Sequence, residues 1–357
     1  MGEWAPDVLG RPFEQRTLRL GAESVGVASV DAAPVDPTSG RVPRRGTPSS
    51  ANAHARTLVA TVVRYRRRPR VALALPARGY DVLYVHGWSD YFFQKELAEF
   101  WWRQGARFHA LDLRRYGRSL RPGQTPGFIS DLQTYDQDIA AALGAMGHTP
   151  TAGGHPRRRL ILMGHSTGGL TLSLWAARHR GVASALVLNS PWLEFQTGSF
   201  GRDMLRPLID LHARVAPRGR MPSVDFGFYS RSVSAAEQGE WTYNPDWRPE
   251  RGFALHPAWL RAVLEGHRRV ANGLNLDLPV FTMLSARSTI SPVWSDAMLR
   301  TDTVLDVDEI AARATQLGSR VTVQRFDGAL HDIVLSAPPV RAEAYEAMAR
   351  WLRYALG

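Results

Sequence analysis

From residue 80 onward, short apolar runs alternate with amphipathic stretches, the pattern of a mostly parallel sheet whose two faces are covered by helices. This pattern predicts strands at 82–85, 108–113, 160–163, 185–188, 280–284 and 321–326. Helices are expected at 96–103, 135–146, 169–179, 310–317 and 340–354. The alternation breaks between 192 and 272, where Pro, Gly and aromatic residues mix with short helical patterns at 205–215 and 257–270. Upstream, 16–20 and 57–65 read as β-rich. Between them, 31–55 is full of Pro, Ser, Gly and Ala and reads as a mobile loop.

The expected fold class is therefore α/β, built as a single domain with an insertion rather than as two domains. The chain has 357 residues, 44% of them apolar and 10% aromatic, enough for one large core. Residues 1–79 supply N-terminal strands of that domain, 80–191 the first part of the core, 192–272 a cap over the edge where strands end, and 273–357 the second part.

Charge changes this picture little. The formal net charge of +11 invites a nucleic-acid partner, but the basic residues are almost all Arg, with Lys95 the only lysine. They are spread along the chain without a basic helix or an aromatic stacking platform, so no nucleic-acid partner is expected. One cluster, Arg64, Arg66, Arg67, Arg68 and Arg70, reads as an exposed, solvated loop in preference to a site for anionic lipid or nucleic acid. The absence of cysteine excludes disulfides, thiolate nucleophiles and thiolate metal sites. The first residues lack the form of a secretory signal, and no apolar run reaches the length of a membrane span. A cytoplasmic protein without stable membrane insertion is the expectation.

The chemistry concentrates at Gly164-His165-Ser166-Thr167-Gly168-Gly169, which follows the apolar run 160–163 and precedes a helical pattern. This is G-x-S-x-G in the context of a strand turning sharply into a helix, where Gly164 and Gly168 let neighbouring backbone pass close. Such a turn presents the Ser166 hydroxyl at its tip and sets backbone N–H groups at a positive helix end. A serine needs a base within reach and a carboxylate to orient that base. His331 lies just past the strand at 321–326, on the side of an α/β sheet where ligands bind, and is assigned as the base. His165 adjoins the nucleophile with its side chain expected to point away.

The strand at 280–284 has no carboxylate directly after it, and the first acids downstream are Asp296, Asp302 and Asp306. Asp302 precedes the next helix at a position from which it can reach an imidazole, and it is the assigned acid. Asp306 and Asp296 stand as helix caps or alternative acids. Attack on a carbonyl also needs fixed donors at the developing oxyanion. The backbone N–H groups of Thr167 and of Trp88, in the turn His86-Gly87-Trp88, are assigned to that task. His86 and Asp90 are expected to brace the turn.

Taken together, His86-Gly87-Trp88, the segment from Asp112 to Ser119, Gly164 to Gly169, the Asp302–Asp306 pair and Gly328-Ala329-Leu330-His331 resemble the serine aminopeptidase-like branch of the α/β hydrolases. That branch includes monoacylglycerol lipases and bacterial lysophospholipases. The resemblance spans nearly all of the chain from Tyr80 onward, and the order Ser, Asp, His agrees with it. It implies an eight-stranded sheet with a cap between strands six and seven, no cofactor and no metal, and a triad of Ser166, Asp302 and His331. Fatty-acid esters are frequent substrates of the branch. One departure is that residues 289–301 intervene before the acid, which the family usually places a few residues after its strand.

The cap contains Trp192, Phe195, Phe200, Phe226, Phe228, Tyr229, Trp241, Tyr243, Trp247 and Trp259. Most are expected to form the cap's own core and some to line an acyl pocket. The expected partner is a small acyl substrate with a hydrophobic acyl group, cleaved as a carboxylic ester through an acyl-enzyme. A thioesterase or amidase with the same triad, or a ligand-binding homologue without turnover, are the alternatives.

Overall fold

The computed structural model describes residues 2–21, 57–67, 75–148, 158–195, 198–221 and 225–356, with the backbone alone at 198–203 and 205. The loop expected at 31–55, Arg68, Arg70 and the Phe200 side chain lie outside the described residues.

Nine strands form one sheet: β1 (Ala5–Pro6), β2 (Phe13–Arg19), β3 (Val59–Tyr65), β4 (Tyr80–Val85), β5 (Arg107–Asp112), β6 (Arg159–His165), β7 (Ala185–Asn189), β8 (Val280–Ser285) and β9 (Val321–Phe326), in the spatial order β1-β2-β3-β5-β4-β6-β7-β8-β9. β1, β2, β3 and β5 pair antiparallel, and the strands from β4 onward run parallel to one another and to β5. The eight strands β2–β9 answer to the expected sheet. The two-residue β1 adds a ninth at its edge, where Pro6, lacking an N–H, removes no interior ladder bond.

The helices are α1 (Lys95–Arg103), α2 (Tyr135–Met146), α3 (Thr167–Arg178), α4 (Gly198–Val215), α5 (Phe228–Val233), α6 (Pro257–Ala271), α7 (Val307–Ala314) and α8 (Pro338–Leu356). β4, β7 and β8 are buried along their whole length, because one core layer covers each sheet face. Alternate residues of β4 divide between them: Leu83 and Val85 face the layer with α2 and α3, while Val82 and Tyr84 face the layer with α1 and α8. β9 closes the sheet as a half-exposed edge.

The segment between β7 and β8 carries α4, α5 and α6, and α6 packs on both α3 and α4. Its aromatics do not form a separate core. Trp259 and Trp192 belong to the main core layer of α2 and α3, and Tyr229, Trp241, Tyr243 and Trp247 close over Tyr91, Phe93, Leu330 and Leu335. The expectation of a self-contained cap core is thus corrected: these rings complete the main core layer or close over the loops after β4 and β9, burying apolar surface that the sheet domain itself presents.

The arginine cluster is also corrected in part. Arg64 lies within β3, not in a loop, and both Arg64 and Arg66 pair with Glu14 of β2, at 2.5 and 2.8 Å. The antiparallel register that sets Glu14 opposite Arg64 explains the pairing.

Candidate active site

Ser166 sits between β6 and α3 with φ 50° and ψ −118°, a conformation that an L-residue holds only when its surroundings over-determine it. Those surroundings are backbone. A Cβ at Gly168 would come within 2.4 Å of the carbonyl oxygens of Val85 and His86, so the start of α3 can dock against the end of β4 only with glycine there. The Ser166 amide donates to Asn189 O at 3.1 Å, and Ser166 O accepts from the amides of Trp192 and Leu170. Thr167 is the first residue of α3, and its amide is one of the donors a helix start leaves unpaired within the helix.

The loop after β4 lies against the elbow: a Cβ at Gly87 would stand 3.1 Å from Ser166 Cβ. Trp88 follows in this loop, and its ring packs on Trp259 of α6 at 3.8 Å between centroids. His86 braces the turn, accepting from the Leu113 amide at Nε2 and donating from Nδ1 to Gly87 O. Burial lowers its pKa, favouring the neutral ring this pattern requires. Asp112 ties the same loop to β5 by accepting from the Phe92 amide and from Arg118, whose guanidinium also grips Asp7.

His331 follows β9, and its Nδ1 donates to Asp302 Oδ2 at 2.8 Å. Both side chains are buried. The other Asp302 oxygen accepts from the amides of Val304 and Leu305, which fixes the carboxylate in place. The long excursion before this acid is closed at its base, where Thr289 N donates to Asp302 O and Asp302 N donates to Arg287 O. Residues 289–301 therefore loop out and return, and Asp302 stands beside the end of β8 despite its distance in sequence. Asp306 instead caps α7 by accepting from the Asp308 and Glu309 amides, and Asp296 is exposed in a short 3₁₀ turn.

The structure corrects the expected orientation of His165. Its ring lies 4.9 Å from the ring of His331, so it faces the site, with Nδ1 donating to Asn189 O. This contact puts the imidazole of His331 within a side chain's reach of the elbow, at the same end of the sheet. Tyr229 covers His331 edge-on at 5.3 Å.

Behind the site lies a buried polar group that the sequence reading missed. Asn189, at the end of β7, donates from its side chain to Asp332 Oδ1 and accepts from the Ile333 amide, locking the His331 loop to β7. Gln94 donates to the other oxygen of Asp332. A polar residue ending an otherwise apolar strand was the one signal for Asn189; its partner, 143 residues on, had none. Asp90, His165 and Asp332 offer ligand atoms within 4.8 Å of one another, the geometry of a possible cation site. Asp332 already accepts from the Asn189 and Gln94 side chains, and the guanidinium of Arg248, from the segment between β7 and β8, stands 3.3 Å from Asp90 Oδ1. That pair is close enough for attraction but not aligned for a hydrogen bond, leaving Oδ1 without a donor. Burial pushes the Asp90 pKa up to about 6 against the pull of Arg248 and His165. With a guanidinium already beside Asp90 and Asp332 held by Asn189 and Gln94, the cluster fits a brace better than a metal centre.

Comparison with known proteins agrees with this geometry. Residues 78–338 match the family model described as serine aminopeptidase, S33. A monoacylglycerol lipase of Mycolicibacterium smegmatis is 31% identical over 122 residues, which span 34% of this chain and 40% of that protein's length. Among solved structures, the monoacylglycerol lipase of Paleococcus ferrophilus superposes with a TM-score of 0.56 at 21% identity, covering 78% of this chain and 96% of its own. A soluble variant of the Saccharomyces cerevisiae monoglyceride lipase gives 0.57 at 16% identity, covering 84% and 93%. No described helix is long and apolar enough to cross a membrane. With the family model matching well over half its length, and the elbow, the sheet order and the overall likeness in agreement, the chain belongs to the serine aminopeptidase S33 family of α/β hydrolases.

Proposed function

We propose that the protein is a serine hydrolase of carboxylic esters that works through an acyl-enzyme on Ser166, with His331 as base, Asp302 as orienting acid and the Thr167 and Trp88 amides as oxyanion donors. The single observation that carries this reading is the 2.8 Å bond from His331 Nδ1 to Asp302, made beside a serine held at φ 50°. Because Nδ1 keeps its proton toward Asp302, Nε2 is the nitrogen that takes the hydroxyl proton as Ser166 Oγ attacks the ester carbonyl. The imidazolium then returns that proton to the leaving alcohol. In the second half-reaction His331 takes a proton from water, hydroxide attacks the acyl carbonyl, and Ser166 recovers its proton.

A hydrophobic acyl group is the favoured substrate feature. Trp88, Trp192 and Trp259 converge beside the elbow, and α4 turns Met204, Leu208, Leu211 and Val215 to solvent on one face. An apolar stripe of this kind suits an ester presented at an oily interface more than a small polar one. Ser166 is only 7% exposed, so the aromatic cover must part for such a substrate to enter. A cytoplasmic site of action belongs to the same proposal and is checked by fractionating the source cells.

The test is a series of p-nitrophenyl esters of rising acyl length, set beside a monoacylglycerol, a lysophospholipid, an acyl thioester and an acyl amide. Turnover rising with chain length on oxygen esters, and absent from Ser166→Ala, supports the reading. Preference for the thioester or amide would reassign the substrate class, and equal turnover by Ser166→Ala would reject the mechanism.

A further inference from the structure

The strands that carry the candidate site at one end carry a second concavity at the other. A cavity of about 570 Å³ opens at the edge where β4, β5 and β6 begin, with Asp81, Arg107 and Arg158 at the strand starts among its lining. It lies about 16 Å from the His86 turn, taking roughly 3.3 Å per residue along β4.

Its charge is one-sided. Among the described residues six arginines line it, while Asp81 is the only acidic residue that does. Arg64 and Arg66 share Glu14, and Arg158 shares Asp81 with His148. Among the described residues Arg67, Arg78 and Arg107 pair with no carboxylate; Arg67 lies instead over the Trp102 ring at 5.4 Å. Arginines from β3, the residues just after it, the β4 approach and β5 thus line one space, and planar forks of this kind match the oxygens of a phosphoryl group.

A second observation points inward rather than to solvent. His109 of β5 lines the same cavity, is 8% exposed, and its Nδ1 has no hydrogen-bond partner. Buried polar atoms are seldom left unpaired in a native fold, and one facing a cavity is satisfied by whatever fills it. Burial drops the His109 pKa to about 4, so at neutral pH the ring is uncharged and its Nδ1 offers either an N–H or a lone pair, according to the tautomer. Ala145 and Met146 of α2 are apolar residues of the same lining.

We propose that this cavity is a binding site for a small molecule bearing a phosphoryl group, separate from the candidate active site and independent of what that site hydrolyses. The phosphoryl group sits among Arg67, Arg78 and Arg107, and His109 meets a further polar atom of the ligand. It arrives on a free metabolite or on a lipid headgroup, and the experiment separates these.

Calorimetric titration of the full chain with inorganic pyrophosphate should show saturable one-to-one binding that weakens with salt and shifts the His109 imidazole resonances. Arg78→Gln and Arg107→Gln, both at exposed positions, should each weaken it about tenfold, with the melting temperature and ester turnover unchanged. If the group belongs to a lipid, the protein instead floats with vesicles of equal phosphatidylglycerol and phosphatidylcholine, and both substitutions abolish flotation. Neither pyrophosphate binding nor flotation, or binding that both variants retain in full, overturns the proposal.

Discussion

The two ends of the parallel strands are built on opposite plans. At the end where β4 and β6 finish, ionisable groups are buried beside partners: His331 donates to Asp302, Arg118 pairs with Asp7 and Asp112, and Arg248 stands next to Asp90. Where those strands begin, the arginines that line the cavity outnumber its acids, and Arg67, Arg78 and Arg107 meet no carboxylate among the described residues. A matched cluster can orient a proton transfer at a fixed geometry, because each partner restrains the next. An unmatched one is suited to holding an anion that comes from outside.

The largest expected effect belongs to the matched end. Ser166→Ala should remove about four orders of magnitude or more of ester turnover, while pyrophosphate binding stays at the wild-type level. Loss of both would mean that the ends are not separable.

Next is a ranking between two acids. Asp302→Asn should lower kcat by about 10³–10⁴-fold, because the amide no longer fixes the imidazole tautomer. Asp306→Asn, at the cap of α7, should change turnover little, since Asn caps about as well as Asp. The reverse ranking would move the acid and with it the reading of the loop closed at Thr289.

A smaller effect comes from Asp90. Its folded pKa, about 6, is above the ordinary carboxylate value, so between pH 4 and 6 the folded state binds more protons than the unfolded chain. Stability contributed by this group therefore falls as pH rises through that window, by about 3 kcal/mol in all. His109 acts with the opposite sign at the other end. With its folded pKa at about 4, the unfolded chain binds more protons between pH 4 and 6.5, and stability rises with pH. Melting curves against pH should show the first slope missing from Asp90→Asn and the second missing from His109→Gln. Identical pH profiles for wild type and both variants would contradict the burial argument at both ends.

How much of this was legible in the sequence follows the reach of each constraint. The elbow could be read because Gly164, Ser166 and Gly168 act on one another within a few residues. The strand at 321–326 coincides with β9 because its pattern is local too. Asp302 could be ranked first by its place before a helix, yet the return of residues 289–301 to β8 depends on backbone pairing that no local pattern encodes. The orientation of His165 was misjudged for the same reason: Asn189 O holds its ring toward the site from a neighbouring strand. Arg248 reached Asp90 from the middle of the irregular segment, without a period or motif to announce it. The pairing of Arg64 with Glu14 depended on a register that brings together residues 50 apart in the chain.

The central claim is that Ser166 is the activated hydroxyl of this molecule. Intact-mass and peptide mass spectrometry after treatment with a fluorophosphonate tests it directly. The account predicts one adduct per chain, on the peptide containing Ser166, formed far more slowly in Asp302→Asn. A folded sample that takes up no label, or takes it at another residue, would contradict it.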